Sequence, residues 1–283
     1  MKKIVITGAS GLIGSRIIEL LSNKFEFIPL SLQEMDITNK DSVNKTLNAL
    51  SYDLILHLAG YTFVDKAEKE QEKTFLINEM GTKNLVEVAI SAKKQFIYIS
   101  TDFVFDGSPH PFTETSIPNP LSVYGLSKFA GEKIVEKNGM IVRLSYPYRS
   151  IFEQKKDIVR TIKSILEEGK PLVMVADSLM VPTFIDDIAY GLEYLMNNFS
   201  LEIFHLVGAN ALSPFELGRT IAQIFKLDES LISKTTHEQY CIGKAKRPQY
   251  CDIRSDKNTF YPMHSFEEGL LIVKDQLKEI INY

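Results

Sequence analysis

Apolar and polar positions change period repeatedly along the first half of the chain. "KKIVITG" (2–8) is a β-branched run closed by glycine, the pattern of a strand buried on both faces. In "GLIGSRIIELLSNK" the apolar positions Leu12, Ile13, Ile17, Leu20 and Leu21 shift to helical spacing. The cycle then repeats. "FEFIPLS" (25–31), "YDLILHLAG" (52–60) and "KQFIYIST" (94–101) predict three further strands. Between them Thr38 and Asp41 have the spacing of a capping box, and 72–92 reads as one long helix. This alternation predicts an α/β fold, a Rossmann-type doubly wound parallel sheet with right-handed crossovers.

Past Tyr148 the alternation loosens. A helix is predicted from 158 until Gly169 and Pro171 end it, with strands at 172–176 and 202–208. Ser213, Pro214 and Glu216 supply the N-cap, N1 and N3 of another helix, and Ser265 with Glu268 caps the last. Thr183 and Asp186 also have capping-box spacing. The chain is therefore read as a first domain over 1–150 and a smaller carboxyl-terminal lobe over 151–283, the two interleaved.

Composition narrows the function classes. With 283 residues, 45% hydrophobic and 24% charged, the chain can bury a substantial core. A net charge of −4 offers no general attraction to nucleic acid or to an anionic membrane surface. No apolar run approaches the roughly 20 residues of a membrane-spanning helix. The opening "MKKIVITGASGLIG" is broken by Thr7, Gly8, Ser10 and Gly11, unlike a signal-peptide core. Two cysteines ten residues apart and five scattered histidines predict neither a disulfide framework nor a metal site, and a reducing cytoplasm is the expected setting.

The candidate chemistry begins in "TGASGLIG" (7–14), where Gly8, Gly11 and Gly14 fall between the first strand and the first helix. Glycines let the backbone turn tightly and approach a pyrophosphate, while the helix amino terminus offers N–H groups and partial positive charge. Residues 1–150 are accordingly expected to bind a dinucleotide. At the end of strand two, where a carboxylate would read the adenosine ribose of NAD, stands Ser31. That points to NADP(H), with NAD(H) as the alternative if Glu34 reads the ribose instead. Asp36 and Ile37 are then placed to meet the adenine.

Strand four ends in Ser100 and Thr101, at the edge where open α/β sheets bind ligands. Tyr124 and Lys128 follow in "VYGLSKFAGEK", and residues i and i+4 share one helix face. A lysine charge beside the phenol is expected to lower its pKa, so that Tyr124 can move a proton at a carbonyl oxygen. Chance alone supplies about one Tyr-x-x-x-Lys in such a chain. The second match, Tyr240 to Lys244, lacks a strand-end hydroxyl before it and is read as accidental.

Together these segments resemble the extended short-chain dehydrogenase/reductase family, in its dTDP-4-dehydrorhamnose reductase branch. "TGASGLIG", "DIT", "HLAGYTFVDKAE", "INEMGTKNL", "YISTDFVFDG", "NPLSVYGLSKFAGE" and "RLSYPYR" follow the branch's motifs in order, and "VPTFIDDIA" and "KRPQYCDI" extend the likeness through the second lobe. The resemblance implies NAD(P)H-dependent reduction of a 4-keto deoxysugar nucleotide, dTDP-4-dehydrorhamnose to dTDP-rhamnose. It implies that Thr101 polarises the keto oxygen, Tyr124 is the acid and Lys128 holds the nicotinamide ribose. It also implies cofactor contacts from Leu12, Ile13, Leu58, Ala59, Gly60, Ser100 and Ser145. Phe103 stands where the branch usually has Tyr, and Tyr146 where it usually has Trp; both are expected to line the sugar pocket.

Several residues carry two readings. Asp65, Lys66 and Glu68 read as a solvated helix start, and only the resemblance draws them to the site. Asn78 either anchors a group near Lys128 or is satisfied by backbone. Arg247, before Pro248, is an exposed-loop guanidinium that either is suited to a phosphate or stands at the surface without a partner. The competing functions are a nucleotide-sugar epimerase and a non-catalytic regulatory subunit; a dehydratase is disfavoured because Phe103 replaces the second acid of Thr-Asp-Glu. A nucleotide sugar is the expected partner, and a homodimer is allowed.

Overall fold

The structure, a computed structural model, describes residues 1–281. Six parallel strands, β1 (Lys3–Thr7), β2 (Glu26–Leu30), β3 (Leu54–His57), β4 (Gln95–Thr101), β5 (Met140–Leu144) and β9 (Ile203–His205), form one sheet in the order β2-β1-β3-β4-β5-β9. Because side chains alternate across a strand, Ile4 and Ile6 of β1 face one layer and Val5 the other. On the first face Ile17 and Leu21 of α1 (Gly14–Leu21) pack beside Ile188 and Leu192 of α8 (Ile185–Asn197). The second face is covered by α2 (Lys40–Asn48), α5 (Gly81–Ser91) and α6 (Val123–Val135) through Val43, Leu47, Leu85, Val88 and Val135.

A second core forms around Tyr148, Phe184, Leu217 and Phe266. It is built from α7 (Ile158–Glu167), α9 (Pro214–Phe225) and α11 (Phe266–Ile281), with two small parallel pairs, β6 (Pro147–Tyr148) with β8 (Thr183–Phe184) and β7 (Leu172–Val175) with β10 (Ile232–Thr235). Residues 185–206 leave this region to complete the main sheet. The chain thus passes between the two cores more than once. Among the described residues no helix is long and apolar enough to cross a membrane.

The expected helix caps meet two corrections. Asn39, not Thr38, caps α2: its side chain accepts from the N–H of Asp41 and Ser42 at 3.0 and 3.1 Å. Thr38 instead donates its hydroxyl to Asp36, 2.7 Å away. At α8 the Thr183–Asp186 box does not form. Thr183 accepts from the N–H of Gly208, and Asp186 is taken by a two-pronged bond from Arg16 at 2.7 Å for each arm. Tertiary partners outcompete the local cap in that case. The Ser213–Glu216 and Ser265–Glu268 boxes form as expected.

The long helix over 72–92 is α4 (Gln71–Phe75) and α5 joined by a π turn at Leu76–Met80. Periodicity does not reveal such an insertion. The extra residue turns Asn78 inward, where it accepts from the Tyr61 N–H at 2.7 Å and donates to the Tyr61 carbonyl and the Ser127 hydroxyl. Asn78 is thus satisfied largely by backbone, and it laces the loop after β3 to α6.

Glu132 of α6 and Arg143 of β5 form a two-pronged ion pair, at 2.9 and 2.7 Å, with both side chains at most 3% exposed. Removing one partner from such a pair strands a buried charge, which costs about 3–5 kcal/mol. Arg143→Met should therefore lower urea-unfolding stability by that amount. The double variant Glu132→Leu/Arg143→Met should recover most of it, and equal losses in the single and double variants would refute this account.

Candidate active site

The carboxyl ends of β1 to β5 open into a cavity of about 1420 Å³, roofed by the second core. That exceeds the usual volume for one small ligand, roughly 300–1,000 Å³. At one end lies the glycine turn. Gly8 has φ +70°, and a Cβ there would stand 2.7 Å from the N of Ala59. The turn therefore rests directly on the chain leaving β3, which puts Gly8, Gly11, Leu12, Ile13 and Gly14 on one wall with Leu58, Ala59 and Gly60. No side chain caps α1 at this end. Beneath, His57 joins the strand ends, bonded to Thr7 at 2.7 Å and Thr82 at 3.2 Å. Burial and the nearby Lys128 hold its imidazole neutral, down at about 3.

β2 ends at Leu30, so Ser31 is the first residue beyond it, on the cavity wall with Asp36 and Ile37. Both Ser31 donors are in use. Its N–H and hydroxyl reach the exposed Glu34 carboxylate at 2.8 and 2.7 Å, and these bonds lower the Glu34 pKa. The two alternative ribose readers are thus a bonded pair.

At the centre stand Thr101, Tyr124 and Lys128. Ser122 caps α6 by accepting from Gly125 N–H, and Tyr124 sits in the first turn. A Cβ on Gly125 would lie 2.3 Å from the Phe103 carbonyl. Only glycine lets the helix lie this close to the turn at Asp102–Val104, which sets the Tyr124 phenol beside the Thr101 hydroxyl. Lys128 donates to the Ile99 carbonyl at 2.8 Å, with its Nζ 4.0 Å from the centre of the Tyr98 ring.

The electrostatics correct the expected lysine effect. Burial pushes Tyr124 up to about 12, and the Thr101 contact, which favours the phenolate, counters only part of that rise. Burial pulls Lys128 down to about 7 against the pull of Glu132. Desolvation therefore dominates both groups.

Phe103 and Tyr146 border the phenol; Phe103 meets Tyr124 edge-on at 5.5 Å and lies 6.4 Å from Tyr146. Tyr146 has φ +39°, a conformation costing a bulky residue about 1–3 kcal/mol. Ser100 is buried with no hydrogen-bond partner for its Oγ among the described residues. Ser145 is buried, and its hydroxyl donates to Asp102 at 2.8 Å.

Arg247 reaches the cavity but is not an unpartnered surface guanidinium. It donates to Asp65 at 2.8 Å and to the Ala245 carbonyl at 2.9 Å. Asp65, in the short helix α3 (Val64–Ala67), also accepts from Ala245 N–H, and Glu68 accepts from Val123 N–H. The segment read as a solvated helix start is a clasp. Tyr240, in the short helix α10 (His237–Cys241), also lines the cavity, which its spacing did not foretell. Lys244 sits 3.4 Å from the centre of the Tyr240 ring, over its face, so the pair does not repeat the Tyr124–Lys128 arrangement. Lys155 and Lys156 were also missed, for no motif marks that loop.

Residues 1–278 match the family described as the RmlD substrate binding domain. The chain is 31% identical over 265 residues to the dTDP-4-dehydrorhamnose reductase of Aggregatibacter actinomycetemcomitans, covering 88% of this chain and 89% of that one. It is 25% identical over 273 residues to methionine adenosyltransferase 2 subunit beta of Rattus norvegicus, covering 90% and 81%. The crystal structure of Bacillus anthracis dTDP-4-dehydrorhamnose reductase in complex with NADP superimposes with a TM-score of 0.91 at 30% identity, over 98% of this chain and 100% of that one. With the glycine turn and the Thr101, Tyr124 and Lys128 cluster in one cavity, this chain belongs to the RmlD substrate binding domain family, the dTDP-4-dehydrorhamnose reductase branch of the extended short-chain dehydrogenase/reductases.

Proposed function

We propose that this protein reduces the 4-keto group of dTDP-4-dehydrorhamnose with NADPH. The observation that carries this reading is the convergence of Thr101, Tyr124 and Lys128 on the same cavity as the glycine turn, in a volume with room for two ligands. The residues fit the cofactor. Gly8, Gly11, Leu12, Ile13 and Gly14 suit its pyrophosphate, Ser31, Asp36 and Ile37 its adenosine end, and the unpartnered Ser100 hydroxyl and Lys128 its nicotinamide half. When bound, NADPH supplies the hydride. Tyr124 supplies the proton to the keto oxygen, and its raised pKa keeps that proton available at working pH. Phe103 and Tyr146 offer aromatic faces to the deoxysugar.

We assign residues 1–150, with the returning 185–206 segment, to cofactor binding and most of the remainder to the sugar nucleotide. The free thiols Cys241 and Cys251 suit a reducing cytoplasm. Exposed Met80 and Leu126, on neighbouring helical segments, support assembly as a homodimer.

Tyr124→Phe should lower turnover roughly 10²- to 10⁴-fold, the usual contribution of a general acid, with NADPH affinity within twofold. Tyr240→Phe should keep its kcat. A Tyr124→Phe enzyme with more than half of wild-type turnover overturns the assignment.

The Ser31–Glu34 pair makes a cofactor prediction. A 2′-phosphate must draw the Ser31 donors from Glu34 and tolerate its charge. Glu34→Gln should therefore tighten NADPH by about fivefold while leaving NADH nearly unchanged. Ser31→Asp should swing preference to NADH. Dissociation constants decide, and a wild type favouring NADH tenfold would place the ribose reader at Glu34.

Arg247→Ala should raise KM for the nucleotide sugar about tenfold while kcat stays within twofold, the signature of lost uniform binding. Unchanged steady-state kinetics would remove Arg247 from substrate recognition.

A further inference from the structure

Thr101 has a single hydroxyl proton, and the structure spends it on Asp102: Thr101 Oγ1 lies 2.9 Å from Asp102 Oδ1 while accepting from Phe103 N–H. Asp102 is 2% exposed; its Oδ2 accepts from the Ser145 hydroxyl at 2.8 Å, and its own backbone N–H and the neighbouring Cys251 thiol also favour the anion. None is a cation. An ionised carboxylate sealed among neutral groups is costly, and taking up a proton relieves that cost. The proton count then decides what Thr101 can do. Beside an ionised Asp102, Thr101 turns only a lone pair to the reacting oxygen. Beside a protonated Asp102, which donates to Oγ1, the Thr101 proton is released towards the cavity.

We propose that Asp102 works as a neutral carboxylic acid, a positioning residue that turns the Thr101 proton towards the keto oxygen of the substrate. The inference rests on the reductase reading above. Tyr124 still transfers the proton, and Asp102 keeps its own throughout, so the stoichiometry is unchanged. A neutral carboxylic acid serves as a hydrogen-bond donor beside an oxyanion site elsewhere by the same logic. Burial raises the Asp102 pKa in this structure, in keeping with the neutral form.

The titratable groups facing Asp102 are Tyr124 from α6, Tyr146 after β5 and Cys251 from the final extended segment, with Arg247 beyond Tyr146. Burial keeps both phenols and the thiol protonated through neutral pH. Lys128, at about 7, is the other group able to change charge there. The sign follows: the working form is protonated, so kcat falls as pH rises through the raised Asp102 pKa.

The test measures kcat for NADPH oxidation with dTDP-4-dehydrorhamnose from acid to alkaline pH, with NADPH binding followed separately by fluorescence. In Asp102→Asn, Ser145 holds the amide oxygen at the Oδ2 position and the NH₂ donates to Thr101 at every pH. That variant should keep kcat within about threefold at acidic pH and lose the alkaline fall due to Asp102, whereas Asp102→Ala should lose about 10²-fold in kcat with NADPH affinity unchanged. Cys251→Ala, which removes a donor to the anion, should move the alkaline limb up; Cys251→Ser, a stronger donor, should move it down. A limb belonging to Lys128 would not respond to either. If Asp102→Asn is as impaired as Asp102→Ala, or the limb stays fixed in both Cys251 variants, the proposal fails; should Asp102→Asn not fold, the Cys251 pair decides. A wild type that oxidises no NADPH with this substrate overturns the reductase reading itself, and an active wild type with unresponsive variants overturns the role of Asp102 alone.

Discussion

The first turn of α6 rests on the turn at Asp102–Val104 that follows β4, with no space for a side chain at Gly125, and the geometry of the site depends on that contact. A helix held a side chain's width further away would leave the Tyr124 phenol short of Thr101 and the Lys128 amine short of the Ile99 carbonyl. Other packing supports the approach. Asn78 in the π turn ties α6 to the loop after β3, and the Glu132–Arg143 pair clamps the far end of α6 to β5. The cost of these buried polar groups is offset because each finds a partner.

Water exclusion governs the chemistry that follows. In a solvated setting a lysine one helical turn away would pull the phenol's pKa down; here burial raises the phenol and lowers the amine together. The site is thereby biased towards neutral species. His57 follows the same rule, as a neutral bridge under the strand ends. For a reduction this bias is useful, since the acid must arrive protonated and the developing oxyanion is the one new charge that the surrounding donors meet.

The second core reaches the cavity by a different route. Its segments reach the cavity through long sequence separations: Arg247 is clasped by Asp65, and Cys251 lies near Asp102. Arg149 works similarly at the cofactor end, donating to Ser15 and Glu19 of α1 from the loop after β6. The two ends of the cavity are thus fastened to both cores, and its walls are built from each.

The chain's own pattern determined the parallel sheet, the glycine turn and the Tyr124–Lys128 spacing, because each is written in residues close together: β-branched runs, glycines three apart, and an i to i+4 repeat. Two of the four capping boxes, at Ser213 and Ser265, were legible for the same reason. What the local pattern could not settle were choices among partners far apart. Asp186 has the spacing of a cap but meets Arg16, Asp65 looks solvated but meets Arg247, and Ser145 is bonded to Asp102. The π turn at Leu76–Met80 and the inverted pKa shifts at Tyr124 and Lys128 belong to the same class. A side chain's hydrogen-bond partner and its exposure to water depend on what the rest of the chain brings against it, and only the tertiary structure decides that.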